Sequence, residues 1–323
     1  MKTIYIKMTG NCNLNCKHCY ASKSEHTVIN VDKVSNWFKQ YVSLLDDNEE
    51  LEIVFHGGEP MLCYNEILSL LKKLNEIHNP KHFCITTNLM YDLNNPLIQE
   101  VFKNMNQISV SYDFGNIRFN STTLAIWENN VKLLKEIIST PLQINVVLTN
   151  ETLNVNPNDF VNIIKSYGFN TIHLERLSTN TRNKIEIPSW IDVDDWLCNL
   201  YNIVKNLDIK VTMFEDIKET IKTGILKNCR LRECSKNVTT IDNNGNIYGC
   251  PNTYNGDWIK GNLNTSPTDD IFNICPLELK KNDKCLTCED YDVCNGDCYQ
   301  LEWQGDICPS PRNLIHLIKK EIM

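Results

Sequence analysis

The sequence has no excess of basic residues: 32 Lys and Arg stand against 40 Asp and Glu, a formal net charge of −8. With a pI near 5.4, it offers no electrostatic footprint for nucleic acid. No run of side chains approaches the ~20 apolar residues that cross a bilayer. A signal peptide is also missing, since charged Lys2 and Lys7 frame only a few apolar residues. There is no convincing internal repeat. What the chain does have is fifteen cysteines among 323 residues, of which 42% are apolar. The number is odd, and a core of that size needs no disulfide staples. The spacings are those of metal ligands, which points to a reducing cytoplasm low in oxygen.

Through the first two-thirds, β-rich apolar runs at 3–8, 51–55, 82–86, 108–112, 142–148 and 171–174 alternate with helix-length periodic segments. Helices are expected at 31–45, 64–77, 96–104, 124–138, 159–167 and 194–206. Strand–helix alternation implies parallel pairing through crossovers. Six βα units give an α/β fold, a partial (β/α)6 barrel rather than a closed eight-fold one, with its site at the C-terminal strand ends. After residue 222 the text changes to short segments rich in Cys, Asn, Asp and Gly. The expected organisation is a core over 1–222, a cysteine-rich domain over 223–311 and a C-terminal helix over 312–323. The abundance of Asn reads as compositional bias without function.

Cys12, Cys16 and Cys19 fall at CxxxCxxC, in a loop just after the first strand. Thiolates are the ordinary ligands of iron–sulfur clusters, and a 4Fe–4S cube usually takes four. Three protein ligands leave one iron open, and an open position separates a reactive metal centre from a structural one, as for zinc. A zinc knuckle is the bland alternative for this spacing alone. The second strand ends in Gly57, Gly58, Glu59 and Pro60. Two glycines let backbone approach a ligand closely, and the turn offers unpaired backbone groups to an amino group.

These two motifs, with aromatic His18 just before the third cysteine, resemble the radical S-adenosylmethionine (SAM) superfamily. The resemblance implies that SAM occupies the open iron through its amino and carboxylate groups. An electron from the cluster then splits it into methionine and a 5′-deoxyadenosyl radical. It further implies that Gly57, Gly58, Glu59 and Pro60 hold the methionyl amino group. Asn88 ends the third strand beside the cofactor, and Ser111 and Asp113 are expected to hydrogen-bond the SAM ribose. Arg118 has the planar fork to pair with the methionyl carboxylate, or is a surface turn residue. Glu175 and Arg176 end the sixth strand inside the barrel mouth, where they position substrate or pair with each other. Cys63, just past the Gly-Gly-Glu-Pro turn, is a core thiol or a hydrogen-atom donor to a substrate radical.

Downstream, Cys234, Cys250, Cys285, Cys288, Cys294, Cys298 and Cys308 resemble the seven-cysteine SPASM domain, and Cys229 supplies an eighth thiol. By that resemblance Cys229, Cys234, Cys250 and Cys298 hold a first auxiliary 4Fe–4S cluster. Cys285, Cys288, Cys294 and Cys308 hold a second. Such crossing between neighbouring cysteines also occurs in two-cluster ferredoxins. A pair of zinc sites is the alternative. The turn chemistry of residues 242–246 suits a hairpin that brings Cys234 and Cys250 together. Cys84 and Cys198 read as small buried hydrophobes, and Cys275 has no assigned role.

The resemblance thus implies three 4Fe–4S clusters and SAM as cofactors. SPASM domains belong to enzymes that mature peptides and proteins, so the expected partner is a small ribosomally made precursor peptide. An oxidative carbon–carbon or thioether cross-link is the expected modification, with formylglycine formation in sulfatases or peptide epimerisation as alternatives. Sulfatase maturases carry an aspartate base just after the cysteine matching Cys250, where this chain has Pro251. A protein that carries clusters only for electron transfer is the non-enzymatic alternative. A flavodoxin, ferredoxin or reductase is expected to supply electrons. Eleven residues precede Cys12, so leader recognition is expected to fall to a separate protein or to the barrel surface.

Overall fold

The computed structural model describes residues 1–20, 27–178, 185–226, 237–252, 259–272 and 282–322. Six strands lie side by side in chain order: β1 (Lys2–Lys7), β2 (Leu51–His56), β3 (Lys81–Thr87), β4 (Gln107–Tyr112), β5 (Leu142–Leu148) and β6 (Thr171–Arg176). Every neighbouring pair is parallel, so each return needs a crossover. Helices α1 (Val31–Val42), α2 (Tyr64–Leu74), α3 (Pro96–Lys103), α4 (Ser121–Ile137), the short α5 (Asn150–Leu153), α6 (Pro157–Ser166) and α7 (Trp190–Val204) lie between or after them. Asparagine starts several of these helices. The side chains of Asn30, Asn95, Asn120 and Asn156 each accept an amide hydrogen of the first turn. Part of the Asn richness is therefore capping chemistry, which stabilises a helix start by ~1 kcal/mol, and not mere bias.

The strand faces differ in kind. Ile4, Ile6, Ile53, Phe55, Ile85, Val110, Ile144, Val146, Ile172 and Leu174 are buried in the main core. The alternate positions carry Tyr5, Lys7, Glu52, His56, Ser109, Ser111, Gln143, Asn145, His173 and Glu175. They meet one another across strands: Thr3 Oγ1 donates to Glu52 at 3.0 Å, and Gln143 Nε2 donates to Ser109 at 3.2 Å. Sheets with two covered apolar faces read as continuous apolar runs, and the polar second face sets this sheet apart from them. The sheet also curls. In a flat sheet the ends of β2 and β6 would stand roughly 19 Å apart, at about 4.8 Å per strand. Yet the Glu175 carboxylate acts electrostatically on His56.

Four further strands join these six, and two of them form the hairpin expected at residues 242–246. β7 (Lys210–Val211) extends β6, and α8 (Thr212–Thr223) follows it. Beyond residue 222, β8 (Val238–Ile241) pairs parallel with the outer side of β1, and β9 (Asn246–Tyr248) and β10 (Ile259–Asn262) add on antiparallel. The order is β10-β9-β8-β1-β2-β3-β4-β5-β6-β7, one open ten-stranded sheet. The two-residue β7 and the polar Thr239-Thr240 centre of β8 carry too little periodicity to read as strands.

Two short elements complete the described chain, α9 (Tyr291–Cys294) and α10 (Arg312–Ile322). Helix α10 is anchored twice. Asp194 of α7 accepts the Asn313 amide at 2.8 Å and the Leu314 amide at 3.0 Å, closing first-turn donors that have no helical partner. Asp290, with no exposed surface, receives Arg312 Nε at 3.0 Å, His316 Nε2 at 2.9 Å and Lys319 Nζ at 3.1 Å, residues that share one helix face. Replacing Asp194 with Ala should cost ~1–3 kcal/mol and lower the melting temperature by a few degrees. An unchanged melt would show that Asp194 does not anchor α10. Among the described residues no helix is long and apolar enough to cross a membrane.

Candidate functional site

The chain leaving β1 and the chain leaving β2 run against each other. Met8 N donates to His56 O, Gly58 N to Thr9 O and Glu59 N to Asn11 O, each at 2.8 Å. The two glycines are required by this contact. A Cβ on Gly57, whose φ is +144°, would stand 2.6 Å from Thr9 O, and one on Gly58 would stand 2.1 Å from Asn11 O. Glycine was expected here so that a ligand could come close; what comes close is the backbone of the cysteine loop. The turn thus braces the residues that lead into Cys12.

Glu59 points inward, 1% exposed. Its carboxylate accepts Met61 N at 3.1 Å, Thr87 Oγ1 at 2.7 Å and Asn88 N at 2.8 Å. Burial pushes its pKa up to about 7 against those three donors. Pro60 opens a 3-10 turn (Pro60–Cys63) that leads into α2. Glu59 therefore ties the ends of β2 and β3 together. Asn88 faces the cysteines: its amide donates to Asn13 Oδ1 at 2.8 Å and lies 3.7 Å from Cys12 Sγ, which the Leu14 amide approaches at 3.4 Å.

Cys16 and Cys19 both disfavour ionisation of Cys12, and Cys19 that of Cys16, so the three thiols lie near one another. Burial pushes the Cys12 thiol up to about 11 and raises Cys16. Buried thiols of this kind are inert by themselves, and a bound metal is what deprotonates them. Three converging soft donors fit a cluster with one iron left open. On the far side of the loop Asp113 gathers three partners. Its Oδ2 takes Arg118 Nε at 2.7 Å and lies 3.4 Å from His18 Nε2, and its Oδ1 takes the Val147 amide at 2.9 Å. The Arg118 fork, expected on a SAM carboxylate, is held against Asp113, and with His18 it staples the cysteine loop to β4. Ser111, 9% exposed, stands one interior position below Asp113 on the same face.

Other residues went unnoticed in the sequence. Lys7 is 7% exposed. Burial lowers it to about 8, opposed by the charges of Cys250, Asp242 and Cys19. It thus stands between the first cysteine loop and Cys250. His56, pushed down to about 4 by burial and Lys7, has a buried Nδ1 with no hydrogen-bond partner among the described residues. His173 bridges Glu175 Oε1 at 2.5 Å and Thr212 Oγ1 at 2.9 Å. The alternation of polar residues within each strand was the signal that could have found all three.

Glu175 and Arg176 do not pair with each other. Glu175 joins His173, while Arg176 forms a bidentate bridge to Asp297 with both contacts at 2.7 Å. Cys63 is 4% exposed, inside the main core, and burial pushes it up to about 11. Cys84 and Cys198 lie 3.9 Å from Glu52 and 3.8 Å from Asp194.

Among the C-terminal thiols, Cys285, Cys288, Cys294 and Cys308 line one cavity of about 620 Å³, walled in part by Trp190 and Trp303. Cys250 is buried at the end of the β8–β9 hairpin and Cys298 packs against the core. Cys229, Cys234 and Cys275 lie outside the described residues.

A parallel sheet with three converging thiols after its first strand, a Gly-Gly-Glu-Pro turn after its second and a cysteine-rich C-terminal region makes the chain similar to enzymes of the radical SAM class. Comparison with known proteins agrees. The family model described as "4Fe-4S single cluster domain" matches residues 3–132. The chain is 27% identical to an uncharacterized protein of Methanocaldococcus jannaschii over 82% of its own length and 89% of that protein. It is 25% identical to a GTP 3′,8-cyclase of Clostridium botulinum over 76% of this chain and 79% of that one. It is also 27% identical to the radical SAM cyclopropyl synthase TigE of Paramaledivibacter caminithermalis, over 53% of this chain and 40% of TigE. In fold it matches anSMEcpe, an anaerobic sulfatase-maturating enzyme solved with AdoMet and a peptide, at TM-score 0.79 and 16% identity over 99% and 96% of the two chains. It matches Streptococcus suis SuiB bound to precursor peptide SuiA at TM-score 0.66 and 17% identity, over 95% and 76%.

Proposed function

We propose that the enzyme modifies a ribosomally made precursor peptide, joining two of its side chains by an oxidative carbon–carbon or thioether bond. The observation that carries this reading is the pairing of two thiol centres on one body: the CxxxCxxC loop at the strand ends, and four thiols around a single cavity in the C-terminal region. Supporting it, both anSMEcpe and SuiB share the fold and were solved with peptides.

In this reading Cys12, Cys16 and Cys19 hold the initiating cluster. Cys285, Cys288, Cys294 and Cys308 hold one auxiliary cluster, and Cys250 and Cys298, with Cys229 and Cys234, hold the other. Bound there with SAM, the initiating cluster supplies the electron that releases a 5′-deoxyadenosyl radical able to take a hydrogen atom from a peptide C–H. The protein aims one C–H and excludes the rest. The polar face of the sheet, from Ser111 and Asn145 to His173 and Glu175, is the surface that orders SAM and peptide. The Asn88 and Leu14 N–H groups face the Cys12 sulfur, and donors to a thiolate favour its charged form. A donor of the flavodoxin or ferredoxin class supplies electrons.

A nucleotide substrate is the second reading, favoured by the cyclase relatives. A triphosphate calls for arginine or lysine partners. Two arginines at the strand ends, Arg118 and Arg176, already hold Asp113 and Asp297. Reconstituted enzyme incubated with SAM, a reductant and the small peptide encoded beside its gene should yield a product 2 Da lighter, the mass of the two hydrogens lost in one cross-link. Unchanged mass across the adjacent peptides, with turnover of GTP instead, would overturn the peptide reading in favour of the nucleotide.

A further inference from the structure

The chain between Cys294 and Cys298 adopts an unusual path. Asn295, Gly296 and Asp297 have φ of 49°, 80° and 59°, three consecutive residues in the left-handed region. Glycine takes that region freely, whereas a side chain there is strained unless something holds it. Arg176 holds Asp297. Its NH2 meets Asp297 Oδ1 and its NH1 meets Asp297 Oδ2, each at 2.7 Å, and NH1 also reaches Pro309 O at 2.7 Å. Asp297 Oδ1 in turn accepts the Cys298 amide at 2.6 Å. The paired side chains are only 3% and 5% exposed.

The positions touched are telling. Cys294, just before this turn, lines the cavity with Cys285, Cys288 and Cys308. Cys298, just after it, packs against the main core, of which Cys294 is itself part. Pro309 follows Cys308. One guanidinium at the end of β6 therefore fixes the chain at two places, the Asp297 turn between Cys294 and Cys298 and the residue after Cys308. We propose that Arg176 and Asp297 form a positioning pair for the auxiliary-cluster thiols, locking the Cys294–Cys298 turn onto the strand end beside the substrate face. This rests on the ligand sets proposed above. It removes Arg176 from the substrate contacts. It also explains why the side chain is arginine, since only a planar fork meets both carboxylate oxygens at once.

The test counts iron in a chain whose Cys12, Cys16 and Cys19 are replaced by Ala, so that only the C-terminal thiols contribute. That parent should hold about eight irons, four per cluster. Adding Arg176→Gln should lower iron and sulfide at least twofold after anaerobic gel filtration. Arg176→Lys, which keeps the charge and the fold but makes a single contact, should lose iron to a chelator faster than the parent. Arg176→Met with Asp297→Gly removes both buried charges and the strain, and should stay depleted because the turn is no longer held. Full iron in Arg176→Gln, parent-like kinetics in Arg176→Lys, or full recovery in the double variant would each overturn the positioning role. A parent without iron would instead overturn the auxiliary-cluster reading on which it rests.

Discussion

A chain with Cys12, Cys16 and Cys19 all replaced by Ala is expected to lose about four of about twelve irons and all reductive cleavage of SAM. These thiols converge in one loop, whose approach is braced by the turn after β2. The other thiols proposed as ligands lie beyond residue 222. The measurement is iron content together with 5′-deoxyadenosine formed after reduction. The remaining clusters should persist, because their ligands sit on separate elements. Continued SAM cleavage in the triple variant would place the initiating cluster elsewhere and remove the basis of the proposed function.

The second large effect is expected at Gly58. An added Cβ would stand 2.1 Å from the Asn11 carbonyl oxygen and 2.5 Å from its carbon. Both are backbone atoms, so no rotamer change relieves the clash, and one of the two chain segments must move. Overpacking of a tight site costs ~1–3 kcal/mol even where side chains can adjust. Gly58→Ala should therefore break the Gly58–Thr9 and Glu59–Asn11 hydrogen bonds and shift the entry to Cys12. The expected result is SAM binding weakened at least about tenfold, which corresponds to ~1.4 kcal/mol, and an initiating cluster that bleaches faster. Gly261 supplies the control, because its backbone is outside the left-handed region and a Cβ there meets only Ile247 Cδ1 at 3.8 Å, an ordinary contact. If Gly58→Ala binds SAM as tightly as the unaltered protein, neither the brace nor close approach at this glycine is needed for the cofactor.

Much of the fold was legible because its evidence is local. All six core strands begin within one residue of the positions expected, and the flanking helices differ mainly at their ends, where asparagine caps and prolines set the start. The two-residue β7 was not legible, nor was the pairing of β8 with β1. β8 owes its place to β1, and a strand that pairs over a separation of 235 residues leaves no periodic trace of its own. The candidate site divides in the same way. Cysteine spacing announces soft donors because ligand geometry is local, so the thiol sets could be written down in advance. What each strand-end side chain touches depends on how the sheet curls. Asp113 and Arg118, five residues apart, find each other and His18. Arg176 passes over its neighbour Glu175 for a carboxylate 121 residues away. Lys7, His56 and His173 were overlooked because single polar residues inside apolar strands look like noise until the alternate positions prove to form one polar face of the sheet.

The placement of β8 also bears on how the protein comes off the ribosome. β1 is made first, yet it ends as an inner strand, hydrogen-bonded to β2 on one side and to β8 on the other. Until residue 241 has emerged, the outer edge of β1 stays open while the rest of the parallel sheet can already close. An open strand edge is a template for pairing with another chain, and contacts of such long sequence separation form slowly. The nascent enzyme therefore passes through a stage in which the strand leading to its reactive cysteines is held on one side only. The late arrival of the C-terminal region seals that strand, so completion of the sheet and completion of the proposed auxiliary-cluster region become a single event in the life of the chain.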